Sequence, residues 1–192
     1  MIVIRFENVS KHYGKNVVLK DLSFEIKDGE RVFVSCASGA GKTTLIRIIA
    51  GLESYNGNVW VDKRIALMFQ ESRLFEHLSV LDNVLCVCEK KDDSKIKRAK
   101  ELLCRLGLTE DINTLAKDLS GGMAQRVALA RTLMSERDIL ILDEPFSALD
   151  PKTKSMASDV ILDYCKEESK TLILISHIQG DKELLCEREI SL

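Results

Sequence analysis

The chain has 192 residues, 45% of them hydrophobic, which is enough for one well-cored domain. Its 28 Lys and Arg against 30 Asp and Glu leave a net charge of −2, so there is no global attraction to nucleic acid or to an anionic membrane. No run reaches the roughly 18 apolar residues of a membrane span, and Arg5 interrupts the apolar N-terminus MIVIRFENVS, unlike a signal peptide; a soluble, cytoplasmic chain is expected.

In chain order, short β-rich runs alternate with turns at Tyr13-Gly14 and Asp28-Gly29, which predicts an antiparallel start. RVFVS is then a buried-looking strand that runs directly into SCASGAGKTT. KTTLIRIIAGL has helical spacing and stops at Gly51. GNVWV and IALMF read as two strands, a hairpin between Gly57 and Gln70. Residues about 72–119 look helical and distinct in character. Within them DSKIKRAKELLCRLGL places Ile96, Ala99, Leu102, Leu103 and Leu106 on one face before Gly107, and EKKDDSK is a solvated connection. A helix from Gly121 to Glu136, the apolar strand ILIL, a helix from Pro151 to about Lys166 and TLILIS as the last core strand complete the pattern. Continuous apolar strands bounded by helices imply an α/β fold with a parallel sheet covered on both faces. The cysteines (Cys36, Cys86, Cys88, Cys104, Cys165, Cys186) lack the spacing of a disulfide framework and read as reduced thiols. Cys86 and Cys88, with only His77 close in sequence, lack the second pair a metal site needs and read as small buried hydrophobes.

SCASGAGKTT is G-x-x-x-x-G-K-S/T with Cys36 in place of the first glycine. A strand that ends in such a loop and opens a helix is the context of phosphate binding. Glycines let successive N–H groups turn inward, the helix N-terminus adds partial positive charge, and Lys42 reaches the outer phosphates. Thr43 offers a hydroxyl to Mg²⁺. A plain turn into a capped helix explains the glycines but not Lys42-Thr43 at that offset. ILILDEP ends a buried strand in Asp143 and Glu144, at the edge where such sheets bind ligands. Asp143 would hold Mg²⁺ and Glu144 would orient or deprotonate the attacking water. LSGGMAQR makes Ser120 an N-cap and Gly121-Gly122 a helix start, a second anion site that one nucleotide per chain does not need.

With these motifs in this order, the chain resembles, over nearly its whole length, the nucleotide-binding subunit of an ATP-binding cassette (ABC) transporter. The resemblance implies a P-loop NTPase fold with a mainly parallel sheet, an N-terminal antiparallel β portion and a helical subdomain. One domain spans 1–192, with 1–71 and 120–192 as core and about 72–119 as the helical part. It further implies that Tyr13 stacks on adenine and that Cys36, Ala37, Ser38, Gly39, Ala40, Gly41, Lys42, Thr43 and Thr44 wrap the phosphates of ATP. Thr43, Gln70 and Asp143 would hold Mg²⁺, with Gln70 linking that site to a permease. Glu144, Gln70 and His177 would serve hydrolysis, His177 as the sensor of the γ-phosphate. Ser120, Gly121, Gly122 and Gln125 of the signature would contact nucleotide, and SALD (147–150) would touch a partner subunit. Two subunits, identical or not, would pack head to tail so that Ser120 and Gly122 of one close over ATP held by Lys42 of the other. That arrangement accounts for the second anion site. Further implied partners are membrane permease subunits and, through them, a solute-binding protein; nucleic acid is not expected. ESRLFEHLSVLDNV reads as a helical segment forming the groove for a permease coupling helix. Together with the Met of GGMAQR, it is most similar to the importers of nitrate, sulfonate or taurine.

The departures from the family pattern are Cys36, a short stretch between Gly57 and Gln70, Ile178 where an acid commonly follows the histidine, and an end soon after CEREISL that leaves no regulatory extension. Nucleotide binding is expected to survive Cys36, whose thiol beside helix-terminal N–H groups would be reactive and shielded by ATP. A non-transport relative, either a DNA clamp or a regulatory module, is the alternative, although the long insertions, coiled coils or second cassette of such proteins are missing. A subunit that binds ATP without hydrolysing it is a further one, opposed by the retained Ser120, Gly122, Glu144 and His177.

Overall fold

The computed structural model describes residues 1–35 and 41–192. Two sheets are built from these residues. β1 (Ile2–Tyr13), β2 (Asn16–Lys27) and β4 (Asn56–Val61) make the expected antiparallel sheet, in the order β2-β1-β4. A wholly parallel sheet runs β5-β6-β7-β3-β8, from β3 (Arg31–Ser35), β5 (Ile65–Met68), β6 (Ile139–Asp143), β7 (Thr171–Ile175) and β8 (Arg188–Ser191).

Side chains on a strand alternate between faces, and β6 and β7 use that alternation to separate two cores. Ile139, Ile141, Ile173 and Ile175 pack with helix α1 (Lys42–Ile49) and with Val3, Ile4 and Phe6 of the antiparallel sheet. Leu140, Leu142, Leu172 and Leu174 face the opposite way, into a cluster shared by α2 (Val80–Leu85), α3 (Asp93–Arg105), α4 (Gly121–Met134) and α5 (Pro151–Glu167). Each of these eight side chains is fully buried, at about 1.5–3 kcal/mol apiece, so the two central strands form a rigid base for whatever follows them.

Four readings of the sequence are corrected. GNVWV and IALMF are not a hairpin, because β4 pairs with β1 and β5 with β6. The link between them crosses from sheet to sheet: Asp62 N donates to Val3 O, while Arg64 O accepts from Asp138 N and Ile139 N. Residues 71–79 are not helical. Arg131 of α4 donates to Ser72 O (2.7 Å) and Arg73 O (3.0 Å), and buried Asn83 donates to the carbonyls of Phe75, Leu78 and Ser79. Those side chains take carbonyls that a helix would use, and Arg73 is left-handed at φ +45°. α2 therefore starts only at Val80, capped by Ser79, which accepts from Asp82 N. TLILIS is not the last core strand, since α6 (Gln179–Leu185) leads on to β8 beside β3; the charged, half-exposed REIS hid it. Finally, Cys86 and Cys88 are not buried but intermediate in exposure; of the other described cysteines, Cys165 is buried, Cys186 intermediate and Cys104 exposed on α3.

α3 follows the expected pattern. Asp92 caps it by accepting from Lys95 N, Ala99, Leu102 and Leu103 are buried along one side, and Leu106 is buried just past its end. No helix of the described residues is long and apolar enough to cross a membrane.

Candidate functional site

Parallel pairing brings three strand ends to one edge. Val34 of β3 and Asp143 of β6 are both in register with Ile175 of β7. The end of β3, the acidic pair after Leu142 and the turn after Ile175 therefore lie side by side. Cys36, Ala37, Ser38, Gly39 and Ala40 of the expected phosphate loop lie outside the described residues.

α1 begins at this edge. Gly41 has φ +100°, and a Cβ there would lie 2.9 Å from Val18 Cγ1, so only glycine fits. Among the described residues no side chain caps the helix, and no acid stands in its first turn. Lys42 thus puts a cation where the helix dipole already disfavours one, a placement that requires an anion nearby. The structure supplies one: Lys42 Nζ lies 3.1 Å from Glu144 Oε1. His177 Nδ1 lies 2.8 Å from the same oxygen. A carboxylate only accepts, so this contact selects the ring form protonated at Nδ1.

Glu144 is 5% exposed and left-handed at φ +50°, a conformation that non-glycine residues adopt rarely and mostly at functional turns. Its N–H donates to Ile175 O (2.8 Å) and its carbonyl accepts from Gln125 Nε2 (2.8 Å), which fixes the turn from both sides. Asp143 continues the isoleucine side of β6, toward α1, and is 9% exposed. Burial, and then the adjacent Glu144 carboxylate, push its carboxyl up to about 6 against the opposing pull of Lys42. A buried acid held short of positive charge fits a hard divalent cation such as Mg²⁺, and exposed Thr43 at the start of α1 adds a hydroxyl.

The structure thus gathers Lys42, Asp143, Glu144 and His177. Gln70, exposed just beyond β5, and Tyr13, at the end of β1, lie outside that group. Thr44 is turned into the core. Tyr13 has a 45% exposed side held in place by its hydroxyl, which donates to Glu53 Oε2 (2.9 Å). Lys11 Nζ donates to Glu53 Oε1 (2.8 Å) and lies 4.8 Å from the Tyr13 ring centre. Hydrogen bonds from Lys11 and Tyr13 hold the Glu53 carboxyl below its usual range. Sequence reading missed Lys11 and Glu53, since no local pattern marks Lys11 as buried in a strand that carries half-exposed Arg5 and exposed Glu7 on the same parity.

The signature segment forms a second helix start. Ser120 caps α4, accepting from Met123 N (3.3 Å), with Gly121 exposed beside it. A Cβ on Gly122 would sit 2.8 Å from Ala148 O, so the close approach of α4 to the 147–150 loop requires glycine. Gln125 is 3% exposed; its amide donates to Glu144 O and Ser147 Oγ (3.0 Å) and accepts from Ala148 N (2.9 Å), which braces the 147–150 loop from within. Asp150 closes the same loop by capping α5 through Lys152 N and Thr153 N.

Known proteins are similar to this chain in sequence and fold. A family model described as ABC transporter matches residues 19–147. The sulfate/thiosulfate import ATP-binding protein CysA of Vibrio cholerae is 38% identical over 206 aligned residues, covering 97% of this chain. The chain spans only 55% of the length of that protein. The aliphatic sulfonates import ATP-binding protein SsuB of Bacillus subtilis is 40% identical over 172 residues, 85% of this chain and 68% of that one. Among solved structures, the dimeric bacterial ABC transporter cassette MJ0796 superposes with a TM-score of 0.88 at 31% identity, over 98% of this chain and 94% of that one. Its post-hydrolysis dimer bound to ADP and Pi gives 0.87. The chain belongs to the ABC transporter family.

Proposed function

We propose that this chain is the ATPase motor of an importer, working as a head-to-tail pair beneath a membrane permease. Residues 1–71 and 120–192 form its nucleotide-binding core and about 72–119 its helical arm. The observation that carries the reading is the meeting of Lys42 Nζ and His177 Nδ1 on one oxygen of Glu144. A cation, a base and a ring N–H donor converge there, beside a helix start that no side chain caps.

In this reading ATP is the substrate. Lys42 exchanges Glu144 for the outer phosphates, which the N–H groups of α1 also face, and Tyr13 takes the adenine. Mg²⁺, held by Thr43, Asp143 and Gln70, would supply charge neutralisation at the phosphates. Glu144, released from Lys42, accepts a proton from water as the water oxygen attacks the γ-phosphorus. The bond to ADP breaks, and ADP leaves with the electron pair. His177 turns its Nδ1–H from Glu144 to the γ-phosphate. Ser120, Gly121 and Gly122 come from the opposing subunit, so ATP favours the closed pair and hydrolysis releases it. The import proteins CysA and SsuB among the relatives favour uptake over export, with this chain peripheral to the inner face of the membrane.

Complementation tests the pairing. Lys42→Ala removes one half-site and Ser120→Arg blocks the other, so each variant alone is expected to be inactive. Mixed in equal amounts, they rebuild one intact site in each mixed pair, and up to about a quarter of the parent rate is expected to return. An inactive mixture would contradict the head-to-tail arrangement.

A further inference from the structure

β7 ends at Ile175, and within a few residues the chain turns, brings His177 to Glu144 and starts α6 at Gln179. Ser176, 1% exposed, organises that turn. Its Oγ accepts from Ile178 N (3.1 Å) and donates to Asp181 Oδ2 (2.6 Å), so one hydroxyl brackets His177 on both sides. Asp181 in the first turn of α6 is likewise 1% exposed, and its other oxygen accepts from the ammonium of Lys154. Lys154 lies one turn into α5, with its N–H on Asp150 O (2.8 Å), and its ammonium stands 5.6 Å from the centre of the Phe146 ring. Phe146 itself is buried between Glu144 and the 147–150 loop.

The cluster therefore joins the loop after Glu144, the start of α5 and the turn that carries His177. Taking a carboxylate and an ammonium out of water costs several kcal/mol, and well-packed apolar residues fill such a space at least as stably. Stability alone gives no reason for an ion pair at this point. Its geometry does: a charge-assisted bond has a direction, which an apolar contact lacks.

We propose that Lys154, Asp181 and Ser176 are positioning residues, which hold His177 in the orientation where Nδ1 meets Glu144 and pass displacements of the 147–150 loop on to that imidazole. The consequence for turnover rests on the roles given to Glu144 and His177 above. The positioning itself is a property of the chain without nucleotide, and the two are tested separately.

The nitrogen-15 spectrum of the His177 imidazole, assigned by its loss in His177→Ala, is expected to show a single Nδ1-protonated form in the parent. In Lys154→Met the ring is expected to average between tautomers. In the same variant kcat falls about tenfold or more while KM for ATP changes by less than about threefold. Lys154→Arg, which keeps the charge and the bond, restores both. Imidazole signals in Lys154→Met that match the parent, with or without a loss of thermal stability, would overturn the proposal. Should the unpaired Asp181 keep Lys154→Met from folding, Lys154→Met/Asp181→Leu removes both charges; averaged tautomers are expected there, and a single-tautomer spectrum overturns the proposal. A parent without ATP turnover would sink the catalytic roles of Glu144 and His177, and the imidazole spectra would still decide the positioning.

Discussion

The chain contains two helix starts suited to anions, and they are built in opposite ways. α1 opens on Gly41 without a side-chain cap, with Lys42 at its first position and Asp143, Glu144 and His177 around that lysine. α4 opens on a capping Ser120 and two glycines, with no charged residue in its first turn and its approach to the 147–150 loop set by a missing Cβ. One start holds charge and chemistry; the other holds shape. The difference teaches that neither is a whole site. A charged half and a neutral, close-fitting half are the complementary surfaces expected of a ligand enclosed between two copies.

Substitutions on the two sides are expected to break different things. The largest effect belongs to the charged start. Lys42→Ala removes the phosphate cation, and steady-state assay should show ATP turnover lowered by about a hundredfold or more, with the fold retained by circular dichroism.

Asp143→Asn separates function from stability on the same side. The carboxyl has an ordinary pKa of 3.8 when unfolded and about 6 when folded, so the native state holds a proton that the unfolded chain has already released. Below about pH 4 the group is neutral in both states and costs nothing; above about pH 6 it is charged in both and costs about 3 kcal/mol. Its contribution therefore falls as pH rises between those values. Without nucleotide or Mg²⁺, Asp143→Asn should unfold about 5–10 °C higher than the parent near pH 8, with the gap closing near pH 4, while its Mg²⁺-dependent turnover is lost. Thermal scans across pH check both the sign and the window.

On the neutral side the effects are smaller and structural. Gly122→Ala drives a Cβ toward Ala148 O and should cost about 1–3 kcal/mol in urea unfolding, with weaker ATP-dependent association. Ser120→Ala removes the cap to Met123 N and should cost about 1 kcal/mol. A Ser120→Ala loss as large as that of Lys42→Ala in an assay of the isolated subunit's nucleotide affinity would erase the distinction between the two starts.

What was legible in the sequence follows from the range of the interactions. The two apolar strands, the acids that end one of them and Lys42 behind a glycine turn are local patterns, and each appears where the sequence puts it. The bracing role of Gln125 was not legible, because its partners, Glu144 O and Ala148 N, lie on another element and nothing in LSGGMAQR indicates which way the amide points. The loop at 71–79 was read as helix because Arg131, which takes its carbonyls, lies some sixty residues downstream. β8 was overlooked because a short edge strand needs no apolar run. The strap of Lys154, Asp181 and Ser176 was invisible for the same reason as Gln125: a buried aspartate looks like any first-turn acid until its partners are known.

The most direct measurement is steady-state ATP turnover of the parent beside Glu144→Gln, with both sized in Mg-ATP. Turnover in the parent, a loss of about 10²–10⁴-fold in the variant and an ATP-dependent dimer trapped by the variant are expected if Glu144 is the base in a site closed by two copies. Equal turnover in both, or a variant that stays monomeric at saturating Mg-ATP, would contradict it.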